Sequence, residues 1–101
     1  MSIRSKTIEE HEFKFDDYED FVGRCWFIRT VTFHTVGLAV KRVGIFLVLK
    51  NASWVADSGR FTDALKTGEL NEVELVDDVL INMNSIVDVF EWRHPLPNKQ
   101  K

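Results

Sequence analysis

One cysteine (Cys25), two prolines confined to the last few residues, and no apolar run near the ~20 residues that span a bilayer set the first limits on this chain. A lone thiol makes no intramolecular disulfide, so the expectation is a reducing compartment such as the cytoplasm, with no membrane span. The opening stretch MSIRSKTIEEHEF lacks the apolar centre of a signal peptide, and Ser2 stands where myristoylation requires glycine. A Gly-rich phosphate loop, a Walker pattern, a Gly-x-Ser-x-Gly elbow and CxxC or HxxxH spacing are all missing. His11, His34 and His94 lie in three separate elements, so neither a metal nor a cofactor is expected. Cys25 and His34 stand nine residues apart, ~30 Å on one unbroken strand, too far for a nucleophile and its base. The acidic neighbours Asp16/Asp17, Glu19/Asp20 and Asp77/Asp78 read as solvated turn formers before acid–base pairs. The expectation is a protein that is not an enzyme. A net charge of −3 also disfavours binding to duplex nucleic acid.

What is present suits one small domain. The 101 residues are 45% hydrophobic, with 8 Phe and 3 Trp, enough for a modest core that self-association would reinforce. Charge divides the chain. Residues 1–24 form an acidic arm, residues 25–92 a β-rich domain, and residues 93–101 a basic tail with three cations and no acid. The ends read as solvated, or as paired with one another within or between subunits.

Within the arm, residues 11–15 alternate as an edge strand does, and Tyr18 and Phe21 are candidate anchors. Residues 25–36 predict one long strand with Val31 and Phe33 on a core face and Trp26 and Ile28 covering the other. Arg29 stands among apolar neighbours and needs a partner. Gly37 predicts a turn into a second strand over residues 38–43, and Gly44 a turn into a third over residues 45–49, making a meander. Residues 51–57 predict a corner and a short extended piece that buries Trp54 and Val55. Residues 60–67 predict a helix with Phe61, Ala64 and Leu65 on one stripe, capped by Asp57 or Ser58 and closed by Gly68. Residues 72–77 predict a strand ending at an Asp77–Asp78 turn, and residues 79–83 and 86–92 a hairpin about residues 84–85. The fold expected is mainly β (α+β): a small bent antiparallel sheet or open barrel with one short helix.

For chemistry, Arg29, His34, Trp54 and Arg60 are the useful set. A guanidinium grips phosphate in a fork, an aromatic plane stacks a base, and amides at the helix start favour an anion. Together they would frame a small anionic pocket. The plain alternative keeps Trp54 in the core and Arg60 in solvent.

The order FIRTVTFHTVG, LVLKNASWVADSGRFTDALKTGELNEVEL and VLINMNSIVDVFEW, over about residues 27–92, resembles the Thoeris anti-defence sponge proteins and their uncharacterised phage relatives. The resemblance implies a phage-encoded, non-enzymatic protein that sequesters a nucleotide-derived immune signal, such as a cyclic ADP-ribose isomer, in pockets between subunits of a dimer or higher oligomer. It assigns the first-strand arginine to Arg29. The family's corner carries arginines after Asn-Ala, whereas here it reads Asn51, Ala52, Ser53, Trp54, leaving Arg60 as the substitute. The alternative is a structural or accessory phage protein acting in virion assembly or host-protein binding.

Overall fold

The computed structural model describes residues 18–101; the edge strand expected over residues 11–15 lies outside them. The elements in order are β1 (Cys25–Thr30), β2 (His34–Val43), β3 (Phe46–Asp57), α1 (Phe61–Thr67), β4 (Glu72–Asn82) and β5 (Ile86–Glu91). The strands form one antiparallel, unclosed sheet in the order β4-β3-β2-β1-β5. This is the mainly β, bent-sheet architecture expected from the sequence.

The sheet is folded nearly double. A straight β2 would be ~33 Å long. Yet Ile45, just past its far end, accepts from the amide of Met83, while Ser85 two residues on accepts from Val31, beside the near end of β2. The two ends therefore meet. The crease runs across three strands at one level. Ala52 of β3 pairs Asp77 of β4, Asn51 and Asp77 take positive φ (51° and 63°), and the β2–β3 register slips on both sides of Leu38. Bulges of this kind raise local twist and bend a strand without ending it. On β2 the crease falls at Gly37, where a Cβ would stand 3.0 Å from Ala52 Cβ and 3.2 Å from its Cα. Only a residue without a side chain lets the two strands close so far.

Folding buries both faces. Inside the bend lie Trp26, Ile28, Ala39, Leu47, Leu49, Ala52 and Ile81, with Phe21, Met83, Ile86 and Val89 packed against them. Outside it, α1 and the C-terminal segment cover Phe27, Val36, Val55, Val73 and Trp92. Full burial of a residue such as Leu49 or Phe27 contributes ~1.5–3 kcal/mol. The stripe Phe61, Ala64 and Leu65 seats α1 there as its spacing predicts. Gly68 closes the helix at φ 79°, donating to Ala64 O, and its bare Cα admits the His94 ring.

Five expectations are corrected. The first strand stops at Thr30, whose hydroxyl accepts from Phe33 N in a tight turn, so Val31 and Phe33 are 78% and 53% exposed instead of core. Gly37 and the Asp77–Asp78 pair mark the crease, not turns. Residues 51–57 continue β3 instead of starting anew. Residues 84–85 do not close a hairpin, because β5 leaves β4 and pairs with β1 on the opposite margin. The basic tail is docked, with His94 Nε2 2.6 Å from Leu65 O and Lys101 Nζ donating to Leu70 O. Phe21 does anchor the arm, its carbonyl accepting from Trp26 Nε1.

Gly37→Ala is expected to cost ~1–3 kcal/mol by overpacking the crease. Ala52→Gly in the same chain should recover much of that loss. Urea denaturation of the two single variants and the double measures the coupling, and strictly additive losses would refute the contact.

Candidate functional site

Alternation along β1 sends Arg29 to the outer face of the sheet, the side of Phe27. Its register partner on β5 is Asp88. The guanidinium fork closes on that carboxylate, Nε at 2.7 Å from Oδ1 and Nη2 at 2.5 Å from Oδ2. The guanidinium carbon also lies 5.5 Å from the Phe61 ring centroid and 5.7 Å from that of Phe90. Arg29 thus joins β1 to β5 and to α1. Its hydrogen bonds, first, and its charge hold the Asp88 carboxyl below the usual aspartate range, with His34 adding a smaller pull and partial desolvation opposing. The bond to Asp88 raises the Arg29 guanidinium in turn. Both side chains are about a third exposed, so solvent screens the pair.

His34 sits opposite Arg29 on β2, half-buried, its ring 5.8 Å from Phe27. Arg60 is exposed and immediately precedes Phe61. Arg29 lies over Phe61, His34 packs on Phe27, whose ring is 5.0 Å from that of Phe61, and Arg60 adjoins Phe61 in the chain, so these three positions fall on the same face. Trp54 is not there. Its register partner is Thr35, so it lies on the other face, 37% exposed and stacked on Phe33 at 5.1 Å with 13° between the rings. The expected burial of Val55 holds and that of Trp54 does not. Trp54 therefore shares no face of the sheet with Arg29 and His34.

The helix start does not supply the expected anion site. Arg60 is the N-cap and makes no side-chain cap bond, and the Gly59 amide already donates to the Asp57 carboxylate. A groove of about 570 Å³ lies elsewhere, where the tail crosses the outside of the crease, lined by Cys25, Asn51, Leu75, Asp77, Pro95 and Pro97 among others. None of the four predicted residues lines it. Burial pushes the Cys25 thiol up, which keeps it protonated at neutral pH. The break after Thr30 does bring His34 back toward Cys25, yet they remain four register steps apart, ~13 Å. Among the described residues no three His, Cys, Asp or Glu side chains are placed to hold a metal ion, and no helix is long and apolar enough to cross a membrane.

Sequence reasoning asked for a partner for Arg29 without naming Asp88. A signal existed: IVDVFE is an apolar strand with one internal acid, as CWFIRT is one with a single base. The chain matches no family model, and no curated protein is similar to it.

The Arg29–Asp88 pair carries a pH dependence of definite sign. A lowered carboxyl pKa stabilises the fold above the ordinary aspartate value of about 4, and that contribution is lost as pH falls through the lowered value. Thermal melts should show Asp88→Asn less stable than wild type at neutral pH, with the gap closing as pH falls below the ordinary aspartate range. A gap independent of pH would refute the pair.

Trp26 and Trp92 are 2% and 3% exposed, against 37% for Trp54. Acrylamide should therefore quench one component of the tryptophan emission, and Trp54→Phe should remove most of that component.

Proposed function

We propose that the chain is a non-enzymatic binding protein that works by self-association through its exposed apolar rims. The observation that carries this reading is the set of large apolar side chains left outside a core closed on both faces. Val31, Phe33, Val43, Ile45, Leu80 and Val87 are 48–78% exposed, with Phe46 and Trp54 at 36% and 37%. Single exposed apolar residues are ordinary, but eight on so small a domain, with Phe33 stacked on Trp54 and Val43 paired with Phe46, favour a contact surface. The reading agrees with the assembly or protein-binding role set out as an alternative from the sequence.

One observation favours a second reading. Arg29 lies over the Phe61 ring, His34 packs on the neighbouring Phe27 ring, and Arg60 immediately precedes Phe61, which gathers cations and aromatic rings of the kind that an anionic, ring-bearing ligand needs. Under it the protein is a phage-encoded sponge for a nucleotide-derived immune signal, completed by a second subunit in the host cytoplasm. Arg29 would then have to share or release Asp88.

A thermal-shift screen of the purified protein against cyclic nucleotides and ADP-ribose cyclisation products, with mass in solution recorded alongside, separates the two. The contact reading expects an oligomer and a flat screen. A rise of several degrees for one ligand, absent in Arg29→Ala, would replace it with the sponge. A monomer at every concentration, with no ligand, would sink both.

A further inference from the structure

Among the described residues β4 is a margin strand, paired with β3. A margin strand points every second residue's N–H and C=O outward, where another extended segment can add. Before the crease those outward groups are already taken. The Val73 carbonyl accepts from the Lys101 amide at 3.2 Å, and the Leu75 amide donates to the Gln100 side-chain oxygen. Lys101 Nζ donates to Leu70 O at 3.0 Å, just ahead of the strand. Val73 and Leu75 are two residues apart, the period of one strand edge. Gln100 and Lys101 thus stand where a neighbouring strand would.

The way the tail arrives shows how lightly its end is held. Pro95 and Pro97 have no N–H to give, so the tail crosses the outer face as a strap rather than as a further strand. His94 and Leu96 root it, His94 Nε2 at the Leu65 carbonyl and Leu96 against the cluster of Phe27 and Val73. Beyond Leu96 a groove lies on each flank, the one of about 570 Å³ toward the crease and one of about 180 Å³ toward Leu70. Residues 98–101 are all exposed. Charge agrees with the seating: this end carries Lys99 and Lys101, and the stretch that receives it carries the exposed acids Glu69, Glu72 and Glu74.

We infer that the β4 margin over Val73–Leu75 is a strand-addition site for an extended basic peptide, with the tail as its guard in cis. The present occupant gives the partner's chemistry. It needs a main-chain N–H for Val73 O, a carboxamide oxygen one residue earlier for the Leu75 amide, and an ammonium for Leu70 O. A peptide with these groups in one extended run makes the same bonds once residues 98–101 lift, and His94 and Leu96 keep their places. The site uses main-chain groups of β4 and is separate from the apolar rims.

A tethered guard competes at an effective concentration on the order of 1 mM, so the open site is a minor state of the wild-type chain. Weakening the guard therefore tightens peptide binding, whereas a peptide bound to the tail itself would bind less well. Amide NMR of the isotope-labelled full chain, titrated with the synthetic peptide Pro-Asn-Lys-Gln-Lys (the sequence of residues 97–101), tests this. Wild type should bind in the millimolar range, with shifts centred on Val73, Glu74 and Leu75. Gln100→Ala with Lys101→Ala, both on exposed positions, should lower the peptide Kd ~10-fold or more. Methylating the last amide nitrogen of the peptide removes the donor for Val73 O and should raise Kd ~5-fold or more. Equal or weaker binding by the double variant overturns the guard. A Kd unchanged by methylation overturns the main-chain pairing. Shifts away from β4, or no binding by either chain at about ten times the guard's effective concentration, overturn the site itself.

Discussion

Gly37 against Ala52 is the contact on which the rest of the structure depends. A single five-stranded sheet of these strands, laid flat, would leave one face in water. Trp26, Ile28, Leu47 and Leu49 would then be exposed, and the chain is too small to supply a second layer for them. The crease solves this by making the sheet its own second layer. It works because the three strands bend at the same level. Glycine permits close approach on β2, while Asn51 and Asp77 accept positive φ on β3 and β4. Asn and Asp tolerate that region better than other non-glycine residues. The topology follows. Once the strands fold back at the crease, the end of β4 lies beside the start of β1's outer neighbour, and three residues suffice to carry the chain from one margin of the sheet to the other.

This explains which parts of the fold were legible. The strand segments, the helix stripe, the glycine stop at Gly68 and the mainly β class are local properties of alternation and capping, and the residues state them directly. The turns were misread where a residue's usual meaning was replaced by a tertiary one. Gly37 and Asp77–Asp78 are punctuation in most sequences, yet here they are the crease of continuous strands. Val31 and Phe33 continue the alternation of β1, but the Thr30 hydroxyl turns the chain before they can be used. The apparent hairpin over residues 84–85 failed because pairing is decided by which edge is open nearby in space, and the crease brings the edge of β1 there.

The site was legible in part for a similar reason. That Arg29 needed a partner follows from one base in an apolar strand. That the partner is Asp88 follows only from the register of β5, a strand the sequence had placed elsewhere. His34 joins Arg29 because a tight turn sets β2 beside β1. Trp54 separates from them because one position along a strand is one face of a sheet. Four residues that look collinear in sequence thus divide between opposite sides.

Burying both faces of one sheet also constrains what this protein can do. A sheet that folds on itself spends on packing the concave side with which a curved sheet ordinarily holds a ligand. The outer face is taken up by α1 and the docked tail. Among the described residues, what is left for interaction is the groove beside the docked tail, the corner at Arg29, already occupied by its own carboxylate, and the strands beyond the crease, where apolar side chains meet water. Displacing Asp88 from a bidentate fork would leave a partly desolvated acid without its base, a cost that any anionic ligand must exceed. Covering Phe46 and Leu80 carries no such cost, since nothing must first be broken. The asymmetry between those two events favours contact between surfaces over capture within one chain.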